Sequence, residues 1–285
     1  MKLRTAFSPC PNDTFIFHAM VNSLIDCEGL SFEVTMADVE ELNRGAYQGL
    51  FDICKLSYHA FFKLAERYWM LESGSALGWG NGPLLVAAAN SPIFDSTERV
   101  NLNRLAEEKI LIPGRDTTAA LLLSLYFPEA KNTQEMLFSK IEEALLKGEA
   151  AAGVIIHESR FKYREKGLVK IADLGEEWER ANRLPLPLGG IAFSKKFDSD
   201  TAKRVERVLK RSVQYAIANP KDSFDFVMES AQEIEESVVE KHIEMFVNSY
   251  SVELGNEGKR GVERLYNLML ESSFPLEKID NLFIK

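Results

Sequence analysis

The sequence predicts an α/β fold of two lobes with a ligand cleft between them, and three observations lead there. From the first residues, period-two apolar runs alternate with helical runs, the pattern of βαβαβ units with parallel strands. Two stretches rich in glycine and proline, LESGSALGWGNGPLLVAAA and WERANRLPLPLGGIAFSKK, read as crossovers out of a first lobe and back into it. The length of 285 residues is about twice that of a typical domain.

Taken in order, KLRTAF is a strand, DTFIFHAMVNSLI a helix, LSFEVTMA a strand, DVEELNRGAYQGL a helix and FDICKLSY a strand. A helix around YHAFFKLAERY leads into the first crossover. Beyond it, KILIPG is a strand, DTTAALLLSLYF a capped helix, SKIEEALLKGE a helix and AAAGVII a strand. From Ser199 onward amphipathic helices take over, among them 200–219 and 233–251, with their charges on solvated faces. The expected boundaries are 1–88 with 193–285 for lobe one and 89–192 for lobe two. Gly80 and Gly82 on one crossover, and Gly189 and Gly190 on the other, are expected to let the lobes close on a ligand.

Hydrophobic residues at 46% and charged residues at 27% fit a globular chain with a sizeable core. A net charge of −9 argues against a nucleic-acid or anionic-membrane surface, while leaving room for a local basic pocket. Cys10, Cys27 and Cys54 are widely spaced with no CxxC pair, so free thiols in a reducing compartment are expected. The N-terminal residues show no signal-peptide pattern, and no apolar run reaches the ~18 residues of a membrane span. A cytoplasmic location is the expectation.

Four polar clusters fall at strand-to-helix junctions: Ser8 to Thr14, Lys55 to Tyr58, Gly114 to Thr118, and His157 to Arg160. In open α/β proteins such junctions at strand C-termini face one crevice. In the first, Pro9 and Pro11 stop strand pairing, and Asn12 or Asp13 is placed to cap the helix that starts near Thr14. In IPGRDTTAALLL, Asp116 or Thr117 caps the helix, leaving the amides of Thr118 and Ala119 at its positive end, where a carboxylate binds well. Ser57 is either a ligand hydroxyl or a plain helix cap. His157 follows an apolar strand with Glu158 beside it, and a neutral imidazole there can take a proton at pH 7. A purely structural histidine is the competing reading. His18, His59, His157 and His242 lack metal-ligand spacing, so no metal site is expected; there is no GxSxG elbow, and Cys10, without a visible catalytic partner, is not expected to be a nucleophile.

Taken together, SPCPNDTFIFHA, GNGPLLV, PGRDTTA, GVIIHESR and LPLPLGGIA resemble the 1,4-dihydroxy-6-naphthoate synthase family of the futalosine route to menaquinone, in order and over most of residues 5–195. The resemblance implies a two-lobed fold similar to type II periplasmic solute-binding proteins. It also implies conversion of cyclic dehypoxanthine futalosine, a small acidic metabolite, to 1,4-dihydroxy-6-naphthoate, with release of a dihydroxyacetone fragment and no cofactor. Within that family His157 corresponds to the proposed catalytic base. Ser57, Thr118 and Ala119 correspond to ligand contacts, as does Asn43 through a looser match at EELNRGA. Relatives tend to have Asp-Ala-Gly where this chain has Ala151-Ala152-Gly153, a departure expected to leave the strand intact while putting a peripheral contact in doubt. The proline-rich turn is expected to form one wall of the cleft. Two alternatives stand beside this reading: a chorismate dehydratase of the same pathway, and a solute-binding protein without enzymatic activity.

Overall fold

KLRTAF forms β1 (Lys2–Phe7), and Pro9 and Pro11 follow it at once, since neither can donate to a strand ladder. The structure, a computed structural model, describes residues 1–95, 99–230, 235–272, 274 and 276–284. After β1 come α1 (Pro11–Val21), β2 (Ser31–Met36), α2 (Val39–Tyr47), β3 (Ile53–Ser57), α3 (Tyr58–Leu64), β4 (Tyr68–Met70) and β5 (Ala76–Gly78). β2 and β3 both pair with β1 in parallel, so the expected βαβαβ opening is present.

A second series follows: β6 (Leu84–Ala88), α4 (Leu102–Glu107), β7 (Ile110–Ile112), α5 (Thr118–Tyr126), β8 (Thr133–Glu135), α6 (Phe138–Leu146), β9 (Ala152–Ile155), α7 (Ser159–Lys162), β10 (Leu168–Asp173) and α8 (Leu174–Asn182). The chain ends with β11 (Leu186–Ser194), α9 (Ser199–Ala218), α10 (Pro220–Ser230), α11 (Glu236–Phe246), α12 (Ser249–Val252) and α13 (Gly255–Glu271). The start of the helix expected over 233–251 lies outside the described residues; α11 and α12 occupy the rest of it.

Among the described residues the strands make two sheets. One runs β2-β1-β3-β11-β4, with β5 also on β11; the other runs β10-β6-β9-β7-β8. β11 is antiparallel to β3, β4 and β5. The chain divides accordingly into Met1–Gly78 with Leu184–Lys285, and Trp79–Arg183. Both divisions fall earlier than the expected 88 and 192, for a reason that lies in strand pairing. β6 pairs with β9 and β10, so it belongs to the second sheet, and all of β11 belongs to the first.

In the first unit, α1 is buried from Pro11 through Met20, because α9, α10 and α11 pack around it as well as the sheet. A helix enclosed in this way needs apolar residues on several faces. Phe7 and Phe17 stack with centroids 4.3 Å apart, and Ile16 and Met20 pack in one cluster with Val205, Val208 and Leu209 of α9. In the second unit, Val86, Leu111, Ile141, Leu145 and Ile155 form the core between sheet and α6. Gly153 sits inside β9, where a Cβ would stand 2.7 Å from Ile141 Cγ2, so its lack of a side chain lets α6 approach. The Ala151-Ala152-Gly153 departure therefore leaves the strand intact.

The glycines expected to act as hinges are placed otherwise. Gly189 and Gly190 lie within β11, paired with Ser57 and Leu56 of β3. A Cβ on Gly190 would collide with Met70 Sδ, and one on Gly82 with the backbone of Gly175. Close approach explains these three glycines; Gly80, at φ +67°, alone serves a turn that requires a left-handed residue. No helix among the described residues is long and apolar enough to cross a membrane.

Glu28 ties the turn before β2 to α9. Its carboxylate accepts from Arg207 Nε and Nη2 at 3.1 and 2.6 Å and from Arg211 Nη2 at 2.6 Å. The hydrogen bond from Arg207, with help from Arg211, holds its pKa at about 2. A depressed carboxylate stabilises the fold above its unfolded pKa, and that contribution fades as pH falls through the folded value. Solvent screening limits it to about 0.5–1 kcal/mol. Glu28→Gln is therefore expected to be less stable than the wild type by this amount at pH 7 in urea titrations. The gap should narrow below pH ~4.5 and vanish only below about pH 2; a gap that stays constant with pH would contradict the pairing.

Candidate active site

In the first unit the SPCPND turn becomes the centre of a buried polar network. Cys10 is the N-cap residue of α1 and makes no side-chain cap, while Pro11 occupies the first turn, where its fixed φ and missing N–H do no harm. Asn12 and Asp13, expected as caps, point inward instead. Asp13 Oδ2 accepts from Ser8 Oγ at 2.7 Å, and its Oδ1 accepts from Asn12 Nδ2 at 2.8 Å and from Lys55 Nζ. Asn12 Oδ1 faces His242 Nε2 at 2.9 Å, and since a carbonyl only accepts, that nitrogen carries the proton. Ser8, Asn12, Asp13, Lys55 and His242 are all buried. An ion pair removed from water in this way holds only when its remaining lone pairs are filled, and Ser8 and Asn12 fill them.

Two residues beyond Lys55, Ser57 closes β3 at the start of α3 without capping it. Asn43 of α2 takes hold of it instead: Asn43 Nδ2 donates to Ser57 Oγ at 3.3 Å, and Ser57 N donates to Asn43 Oδ1 at 3.1 Å. The structure thus brings these two expected ligand contacts together as partners of each other. Ser57 Oγ accepts in this pairing, which leaves its own proton for donation to another group.

In the second unit, Thr117 caps α5 as one of the two expected candidates, its Oγ1 accepting from Ala120 N at 3.2 Å and donating to Gly114 O at 2.7 Å. Thr118 and Ala119 are the first two residues of the helix, so their amides lie outside its own i to i−4 ladder. The positive end of the helix macrodipole falls there.

His157 stands two residues past the end of β9. Its φ of +57° is left-handed, a conformation uncommon outside glycine and one that persists only where surroundings enforce it. Those surroundings are specific. Ser159 Oγ donates to Glu142 Oε2 of α6 at 3.1 Å, and the Arg160 guanidinium donates to the Gly82 carbonyl and, at 3.3 Å, to Asp173 Oδ2. Asp173 Oδ1 meanwhile caps α8 through Gly175 N and Glu176 N. The Phe138 ring and the imidazole meet in an edge-type contact, 5.0 Å between centroids. The other three histidines are buried, His18 against Ser223, His59 against Phe274 and His242 against Asn12; His157 is partly exposed.

Arg160 and Asp173 were not legible as positioning residues, because their pairing joins segments that only the sheet brings together. Among the described residues no group of three or more His, Cys, Asp and Glu is arranged to hold a metal ion.

The profile of a menaquinone-biosynthesis family matches residues 3–271. A 1,4-dihydroxy-6-naphthoate synthase of Thermus thermophilus is 41% identical over 264 residues, covering 93% of this chain and 92% of the relative. Another so named, from Streptomyces coelicolor, is 34% identical over 269 residues, covering 92% and 91%. Among solved structures, protein AF1704 of Archaeoglobus fulgidus is 30% identical with a TM-score of 0.85, over 95% of this chain and 97% of that one. A Candida albicans protein with the generic periplasmic binding protein fold superposes with a TM-score of 0.70 at 13% identity, over 98% and 92%. The fold is therefore that of periplasmic binding proteins, as expected.

Asp13→Asn is expected to destabilise the protein by about 3–5 kcal/mol, since it leaves the Lys55 ammonium buried without its counter-charge. Adding Lys55→Met should recover much of that loss. Chemical denaturation of the single and double variants measures both, and a single variant within about 0.5 kcal/mol of wild type would show the network to be dispensable.

Proposed function

The chain belongs to the menaquinone-biosynthesis family, and from that premise we propose that it is a cytoplasmic 1,4-dihydroxy-6-naphthoate synthase. It acts as a carbon–carbon lyase on cyclic dehypoxanthine futalosine, releasing a three-carbon dihydroxyacetone fragment. The observation that carries the reading is His157: the one partly exposed histidine, set in a left-handed conformation just past a strand's C-terminal end and followed at once by the anchored residues Ser159 and Arg160. A base so held loses little freedom when it reacts, which is what positioned proton transfer requires. The two relatives that bear the synthase name support the same reading.

The chemistry asks little else of the protein. The imidazole takes a proton from the polyhydroxylated substrate, a carbon–carbon bond opens, and formation of the aromatic naphthoate ring drives the reaction forward. Thr118, with the amides at its own position and at Ala119, holds the substrate carboxylate against the positive end of α5. Ser57, oriented by Asn43, donates its hydroxyl proton to the substrate.

His157→Asn is expected to fold and bind substrate but lose kcat by a factor on the order of 10²–10⁴. Thr118→Val should lose about 0.5–3 kcal/mol of binding, read mainly in KM. Steady-state assays following the naphthoate chromophore separate the two. Turnover near wild type in His157→Asn would remove the base assignment, and absence of product from the wild-type protein would leave a binding protein rather than an enzyme.

A further inference from the structure

Buried side-chain amides are costly unless both ends are paired. Asn12 and Asn43 obey this, with oxygen and nitrogen each engaged. Asn81, in the GNGPLLV stretch, does not. It is 2% exposed, and neither its Oδ1 nor its Nδ2 has a hydrogen-bond partner among the described residues.

The backbone around it is nonetheless fixed on every side. Gly80 N donates to Glu179 Oε1 at 2.6 Å, the Gly82 carbonyl accepts from Arg160, Gly82 packs against the backbone of Gly175, and the Pro83 carbonyl accepts from Leu174 N at 2.9 Å. A rigid turn thus presents a side chain that none of the described residues ties down. Preset geometry with unspent hydrogen-bonding capacity is the property of a recognition residue, because binding then costs little ordering. Arg160 links this turn to the catalytic loop, since the same guanidinium anchors the segment that begins at His157.

The chemistry of the amide narrows the ligand. A carboxylate accepts only, so it would engage Nδ2 and leave Oδ1 unpaired. A hydroxyl both donates and accepts, and two neighbouring hydroxyls satisfy both ends of one carboxamide. We propose that Asn81 is a substrate-recognising residue whose carboxamide binds adjacent hydroxyls of the polyhydroxylated part of the substrate. This rests on the synthase reading and adds to it a contact separate from the carboxylate site at α5.

The test compares wild type, Asn81→Leu and Asn81→Asp by thermal melting and by steady-state kinetics with cyclic dehypoxanthine futalosine and with a deoxy analogue lacking one of the neighbouring hydroxyls. Asn81→Leu removes an unpaired amide, so it is expected to melt no lower than wild type while its KM rises about tenfold to hundredfold, with kcat changed far less. With the deoxy analogue the KM gap between wild type and variant should shrink several-fold, which a merely structural role would not produce. If Asn81→Leu does not fold, Asn81→Asp, which keeps the shape and loses the donor, is expected to show the KM rise. A KM equal to wild type in a folded variant, or a gap undiminished with the deoxy analogue, overturns the assignment. Product from the wild type together with that result overturns this assignment alone; no product from the wild type overturns the synthase reading and this assignment with it.

Discussion

The Asp13 carboxylate accepts from Ser8, Asn12 and Lys55 in the interior of the first unit, and four elements are joined through it. Ser8 follows β1, Asn12 and Asp13 open α1, Lys55 lies on β3, and His242 of α11 joins through Asn12. Strand C-termini in this fold carry polar side chains into places water does not reach, and each such group must find a partner or destabilise the fold. Asp173 plays the matching part in the second unit: one oxygen caps α8, the other holds Arg160, and Arg160 holds the Gly82 carbonyl.

From that constraint the distribution of chemistry follows. Asn12, Lys55 and His242 are bound into the network around Asp13 and serve the fold, although they are polar and reactive in type. The two residues proposed to meet the ligand are held in place by the scaffold: His157, left-handed and partly exposed just ahead of the anchored Ser159 and Arg160, and Ser57, oriented by Asn43 through its acceptor side. Backbone strain at His157 fits this division, since an unfavourable φ is maintained only where surrounding contacts over-determine it.

Much of this was legible in the sequence, and the rest was not for physical reasons. The βαβαβ opening could be read because periodicity is local, and Thr117 could be read as a cap because capping spans three residues. Asn12 and Asp13 carry the same local signal as Thr117, yet their partners lie 42 and 230 residues away in sequence, so a cap was read where a buried network forms. Gly189 and Gly190 looked like a bend because glycine marks flexibility and close packing alike, and only the neighbours Met70 and Leu56 tell the two apart. The strand pairing that assigns β6 and β11 to their sheets is likewise non-local. Asn81 was visible as a letter in a motif; that it is buried without a hydrogen-bond partner among the described residues is a property of its surroundings alone.

If the positioned imidazole of His157 triggers the opening of a carbon–carbon bond, the fate of the severed carbons shows it most directly. Purified protein incubated with cyclic dehypoxanthine futalosine should release the three-carbon dihydroxyacetone fragment and 1,4-dihydroxy-6-naphthoate in equal amounts, both followed by mass spectrometry through the time course. Naphthoate formed without an equivalent of the three-carbon fragment, or bound substrate recovered unchanged, would contradict it.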